Sequence, residues 1–262
     1  MPQPSLDARI AALATNRTAG SLALAREALD ILGSAAEAAG PGWRDSVVEV
    51  AQALRSAKPG MAVLARAVSG LLGRLEETGE DAPKQAVGLA TTLGDLLVER
   101  SLAAAKIMGD LLPRNGVVAT CSRSSSVVRA CAFANRKTKA VRVVTLYSNG
   151  HGNRLADDLA LVGVACDILP DASAKDAVGW ADTVLLGADA VSVEGVLNGT
   201  PSAALAMAAQ GMLPVRVVCQ TDKFADGLSP TPGYDLVPMA HVDELITEEG
   251  CLSRADALAR LA

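Results

Sequence analysis

Apolar residues in the first part of the chain return at three- and four-residue steps. Trp43, Val47, Val50 and Leu54 form one such stripe, and Met61, Leu64, Val68, Leu71 and Leu75 form another. That spacing predicts amphipathic helices. Gly-Pro-Gly at 40–42 and Lys-Pro-Gly at 58–60 punctuate them. A longer stripe from Ala82 to about Leu112, with Val87, Leu93, Leu97, Leu102 and Ile107, is stopped by Pro113. The rhythm then changes. Short β-branched runs appear at 116-GVVAT-120, 141-VRVVTLY-147, 165-ACDIL-169, 183-TVLLG-187 and 214-PVRVVCQ-220. Helix-like stretches at Ser125–Ala134, Arg154–Leu161 and Ser202–Ala209 separate them. Strands that are apolar on both faces and alternate with helices predict a mostly parallel sheet covered on each side. The expected fold class is therefore α/β: a helical N-terminal domain over 1–112, then a Rossmann-like ligand-binding domain over 113–262.

Sheets of this kind take ligands beyond the carboxyl ends of their strands, so the strand exits are where chemistry is sought. The first exit reads 120-TCSRSSSVV-128. Arg123 and the hydroxyls of Ser124 and Ser125 beside a helix start suit an anion, while a helix cap needs only one of the serines. Both readings stay open. The second exit, 147-YSNGHGNR-154, carries Asn149 and His151, with no catalytic or metal spacing around the histidine. At the fourth exit Asp189 follows an apolar strand, where it is either a general acid or a hydrogen-bonded turn residue. Beyond it, 198-NGTPSAALA-206 reads as a helix with Thr200 as cap and Pro201 in first place, so Asn198, Gly199 and Thr200 form a second candidate phosphate seat. Near the N-terminus, 16-NRTAGSLALAREAL-29 repeats the chemistry of an Arg before a helix start.

Composition narrows the function classes. Only 2% of residues are aromatic, so platforms for stacking bases are nearly absent, and a formal charge of −5 argues against direct nucleic-acid binding. The five cysteines fall at irregular spacings, as expected of reduced thiols in a cytoplasm rather than a disulfide or metal framework. No signal segment is expected. No run reaches the about 18 apolar residues a membrane span needs, so no membrane association is expected either.

Taken in order, 17-RTAGSLALAREAL-29, 120-TCSRSSSVV-128, 187-GADAVSVEGVLNGT-200, 217-VVCQTDKF-224 and 234-YDLVPMAHVDELITEEG-250 resemble one family. It joins the alpha, beta and delta subunits of translation initiation factor 2B to two sugar-phosphate isomerases, acting on methylthioribose 1-phosphate and ribose 1,5-bisphosphate. The resemblance implies a cytoplasmic homodimer without cofactor or metal that binds a small phosphorylated sugar or nucleotide. It implies that Asp189 opens the sugar ring by proton transfer. A cysteine one position beyond Cys121 would relay the proton at the second carbon. Phosphate would be held by Arg17, Gly20 and Ser21 and by an Asn-Lys pair. This chain departs from that pattern. Ser122 stands at the relay position with Cys121 before it, and a hydroxyl is far less acidic than a thiol of pKa ~8.5. The loop Tyr147-Ser148-Asn149-Gly150 lacks the family's Arg, and the run Asn198-Gly199-Thr200 lacks its Lys. Arg123 and Lys223 are the cations that could compensate. Two readings follow: an aldose–ketose isomerase using Asp189 with Cys121 or Ser122, or a non-catalytic sugar-phosphate or nucleotide binder that works through protein–protein contacts.

Overall fold

The computed structural model describes residues 4–39, 42–229 and 231–262, so Gly40 and Pro41 of the first punctuating tripeptide lie outside the described residues. The chain divides into two compact units, 1–99 and 100–262. Unit 1 is built from α1 (Leu6–Thr15), α2 (Ser21–Ala39), α3 (Trp43–Ala57), α4 (Ala62–Thr78) and the first part of α5 (Ala82–Leu111). The two stripes read from the sequence are its core. Trp43, Val47, Val50 and Leu54 of α3 pack with Leu64, Val68, Leu71 and Leu75 of α4 around Leu24, Leu29, Ile31 and Leu32 of α2. Lys58-Pro59-Gly60 falls between α3 and α4, where the pattern places a break.

Unit 2 takes α5 from Arg100 onward and continues as β1 (Val117–Thr120), α6 (Ser125–Arg136), β2 (Arg142–Leu146), α7 (His151–Leu161), β3 (Cys166–Leu169), α8 (Ala174–Trp180) and β4 (Thr183–Leu186). Then come β5 (Ala190–Ser192), β6 (Gly195–Gly199), α9 (Ser202–Ala209), β7 (Val215–Val218), β8 (Tyr234–Pro238), β9 (Glu244–Thr247), β10 (Gly250–Ser253) and α10 (Arg254–Leu261). Seven strands form one sheet in the order β10-β9-β7-β4-β1-β2-β3, parallel except where β10 runs against β9. Neighbouring residues of each central strand go to opposite faces, as the period of two requires. Ala119, Leu186 and Val217 pack with α8 and α9 residues such as Val178 and Leu205. Val118, Leu185 and Val218 pack with Met108 of α5 and Val127 of α6. Apolar residues on both faces make the α/β class legible from the runs alone.

Two parts of unit 2 were not foreseen. Residues 190–199 and 234–238, expected as strand exit and closing motif, form a three-stranded sheet in the order β5-β6-β8. β9 and β10 extend the main sheet. The unforeseen strands are three to five residues each, about as long as the foreseen ones. Glycine, however, opens β6 and β10, and β-branched residues are sparse in β5, β6, β8 and β10. Among the described residues, no helix is long and apolar enough to cross a membrane.

Candidate functional site

The order of strands around β1 locates the crevice. From β1 the chain winds outward through β2 and β3, then returns to place β4 on the other side of β1. Such a reversal opens a gap at the carboxyl ends of the two central strands. Here those ends carry Cys121–Ser126 and Gly187–Asp189.

Cys121 and Ser122 part company at the end of β1. The Cys121 side chain is wholly buried among the residues packed with α8 and α9, and its Sγ lies 3.2 Å from Ser202 Oγ. Burial pushes this thiol up to about 12, against a smaller lowering from the Ser202 hydrogen bond, with Asp235 and Asp171 adding to the rise. It is a protonated core group at neutral pH. The expectation that Cys121 shares the relay finds no support in this placement. Ser122 is partly exposed and adopts a left-handed backbone, φ 60°. Its N–H donates to Ser148 Oγ at 2.9 Å, and the Ser148 N–H donates to Asp171 Oδ1 at 2.7 Å.

Close backbone approaches bring the other rim residues together. A Cβ on Gly199 would stand 2.3 Å from Ser122 Oγ. One on Gly187 would stand 2.3 Å from Ser124 Oγ and 3.9 Å from Asn198 Oδ1. Only glycine allows those contacts. Ser122, Ser124, Gly187, Asn198 and Gly199 thus form one cluster. Half-buried Asp189 follows Gly187 by two residues, and its N–H donates to the Leu197 carbonyl at 2.8 Å. The buried Lys223 ammonium donates to the Ala188 carbonyl, which brings this cation to the Asp189 loop. The Lys223 turn is itself pinned. Glu248, from the closing Thr-Glu-Glu-Gly, accepts from Thr221 N at 3.0 Å and Thr221 Oγ1 at 2.5 Å. Asp222 pairs with Arg100 of α5 at 2.7 Å.

The expected anion seats fare differently. Ser124 caps α6, its Oγ accepting from Val127 N at 3.4 Å, and Ser125 is exposed in the first turn. The seat at 198–200 is already filled. Asp235 accepts from Thr200 Oγ1 at 3.0 Å and from Ala203 N at 3.2 Å, so a carboxylate of the chain sits at the start of α9. That helix begins at Ser202 with Pro201 at the cap position, where Pro201 itself makes no cap hydrogen bond, which corrects the expectation of Thr200 as cap and Pro201 as first residue. Asn198 turns inward, its Nδ2 donating to Ser202 Oγ at 2.8 Å, while Ser202 Oγ donates to the Gly199 carbonyl at 2.5 Å. Arg123 is likewise engaged. Its Nε and Nη2 reach Asp158 at 2.7 and 3.1 Å, so a phosphate would have to compete with that carboxylate. At the β2 exit Ser148, Asn149 and Gly150 all have positive φ, and Asn149 is exposed. His151 is the first residue of α7, and burial, then Arg154 and Arg123, hold its imidazole below the usual range.

Unit 1 carries its own cationic corner. Arg17 and Gly20 precede α2, which starts at Ser21. Asn16 Oδ1 shapes the approach by accepting from Thr18 N at 2.9 Å and Ala19 N at 3.0 Å. Lys58 is buried with its ammonium 2.7 Å from the Asn16 carbonyl. Burial, then the neighbouring Arg17 charge, lowers its pKa. The sequence reading took Lys58 only as part of a helix break and missed it. It also missed Ser148, Asp171 and Asp235, whose roles arise from contacts between distant segments. Among the described residues, no group of three or more His, Cys, Asp or Glu side chains could hold a metal ion.

Comparison with known proteins gives this geometry a context. The chain is 25% identical over 271 aligned positions to a ribose 1,5-bisphosphate isomerase of Haloferax volcanii, covering 90% of this chain and 83% of that protein. Its fold is that of the Pyrococcus horikoshii OT3 translation initiation factor eIF-2B, with a TM-score of 0.84 at 22% identity over 95% of this chain and 97% of that one. The 5-methylthioribose 1-phosphate isomerase of the same organism matches with a TM-score of 0.77 at 18% identity, over 98% and 87% of the two chains. The family model for the initiation factor 2 subunit family matches residues 17–229, and the chain belongs to that family.

Proposed function

We propose that this protein binds a phosphorylated pentose at the rim formed by residues 122–126, 187–189 and 198–199, and that it is a binding rather than a thiol-relay member of its family. The observation that carries this reading is the separation of Cys121 from Ser122: the thiol is locked in the core while a serine hydroxyl stands at the rim. The Ser124 and Ser125 hydroxyls and the first amides of α6 supply donors for one phosphate. Asp189 and Lys223 stand by for the sugar. In this reading the protein acts as a homodimer in the cytoplasm through protein–protein contacts, which light scattering and fractionation test directly.

The experiment is thermal denaturation with ribose 1,5-bisphosphate and with methylthioribose 1-phosphate, paired with chromatography for the ketose product. Binding raises Tm by about 5–10 °C near 100 times Kd, and no ketose accumulates. Absence of any shift with either sugar ends the reading. A second reading, aldose–ketose isomerisation, is favoured by Asp189 at the β4 exit and by the named activity of the Haloferax relative. Ketose formation that is lost in Asp189→Asn selects it.

A further inference from the structure

Three consecutive strand exits are tied by a hydrogen-bond chain that ends at Ser122. Asp171, just past β3, accepts from the Ser148 N–H at 2.7 Å. Ser148, just past β2, accepts through its Oγ from the Ser122 N–H at 2.9 Å. Ser122, just past β1, lies against Gly199 of β6. β3, β2 and β1 are neighbours in the sheet, so the chain runs across its carboxyl edge. Ser148 is buried, with 1% exposure, and its φ is 50°. Ser122 has φ 60° and Asn149 φ 52°. The left-handed region is unfavourable for a residue with a Cβ. Such conformations persist where surrounding structure enforces them, and they gather at functional sites. Among the described residues, the remaining non-glycine residues with positive φ, Asn115, Thr138 and Ala140, sit in the turns leading into β1 and β2, at the opposite edge of the sheet.

We propose that Ser122 is held in a strained left-handed conformation in order to present its hydroxyl to the ligand, and that Ser148 and Asp171 are the positioning residues that hold it there. The inference rests on the binding reading for its ligand class. Its structural half does not. Without the Ser148 bond, Ser122 relaxes toward ordinary extended backbone, and its hydroxyl leaves its place against Gly199. Asp171 acts one step further back by fixing the Ser148 amide.

The test compares Ser122→Gly, Ser148→Ala, Asp171→Ala and Asp171→Asn with the native chain, reading Tm without ligand and affinity for ribose 1,5-bisphosphate. Ser122→Gly removes both strain and hydroxyl. Its ligand-free Tm rises by about 2–4 °C, while affinity falls about tenfold. Ser148→Ala weakens binding by about the same factor with a cooperative melt retained. Asp171→Ala weakens binding, and Asp171→Asn restores it, because an amide oxygen can accept from the Ser148 N–H. That rescue would not follow from a merely structural role for the loop. A ligand-free Tm that is unchanged or lowered in Ser122→Gly overturns the strain. Native-like affinity in Ser122→Gly or Ser148→Ala, or equal loss in both Asp171 variants, overturns the positioning role. If the native protein binds neither sugar phosphate, the proposed ligand class fails, and the ligand-free comparison still decides whether Ser122 is strained.

Discussion

The start of α6 and the start of α9 look alike as sequence. Each has hydroxyl residues just after a glycine or strand end and just before an alanine- or valine-rich helix, and each invites a phosphate. In the fold they differ. At α6 the cap is Ser124, a neutral hydroxyl. At α9 the Asp235 carboxylate, 35 residues downstream of Thr200, lies on the helix start. At the β2 exit, too, a backbone donor is met from within the chain: the Ser148 amide is turned to Asp171. Of its two candidate phosphate seats the unit thus fills the one at α9 and leaves the one at α6. A favourable local motif states only that an anion is welcome. Whether the chain itself supplies that anion depends on what folds against it.

The comparison can be broken in four ways. The largest effect belongs to the thiol between the two seats. Burial pushes the Cys121 thiol up to about 12, from 9.0 for an ordinary thiol. A raised folded pKa contributes stability that is complete below about 9 and is lost as pH rises toward 12. Each pH unit in that window costs roughly a kcal/mol. Tm should fall across it, less steeply in Cys121→Ala, and iodoacetamide should leave Cys121 unmodified in the native protein. Alkylation at neutral pH would return the thiol to the rim.

Next, Gly187→Ala drives a Cβ into Ser124 Oγ. A loss of about 1–3 kcal/mol in denaturant unfolding is expected, together with loss of sugar-phosphate binding at the open seat. Unchanged binding would move the seat elsewhere. Asp235→Ala uncaps α9 at a cost of about 1 kcal/mol, and sulfate then stabilises the variant more than the native chain. Equal stabilisation by sulfate would show that Asp235 does not guard that seat. The smallest change comes from Arg123→Ala. The partly exposed pair with Asp158 contributes about 0–1 kcal/mol, and affinity for ribose 1,5-bisphosphate should change less than about twofold. A tenfold loss would make Arg123 a phosphate ligand after all.

The stripes of Val, Leu and Ala placed α3, α4 and the central strands because burial on one face or two leaves a periodic trace. Ser202–Ala209 matches α9 residue for residue, whereas the helix read from Arg154 begins at His151 in the fold. Strands β5, β6, β8 and β10, with few β-branched residues, left a fainter trace although they are about as long as the others. Among site residues, Ser122, Ser124 and Asp189 were legible because each follows a strand whose apolar run announces its exit, and Asn198 because it precedes a helix start. Ser148 and Asp171 also follow strand exits and Lys58 a helix end, but their roles were not legible because each depends on a hydrogen bond to a residue 23 to 42 positions away.

By itself, then, the amino-acid order determined the alternation of strands and helices, the edge of the sheet where polar residues collect, and the family. The tertiary structure decided which of those polar residues remain open to a ligand. The reason lies in range: periodic burial is written over a few turns of chain, whereas a hydrogen bond from Ser122 to Ser148, or a carboxylate on α9, joins segments 26 to 35 residues apart. Only folding brings such partners within 3 Å of each other.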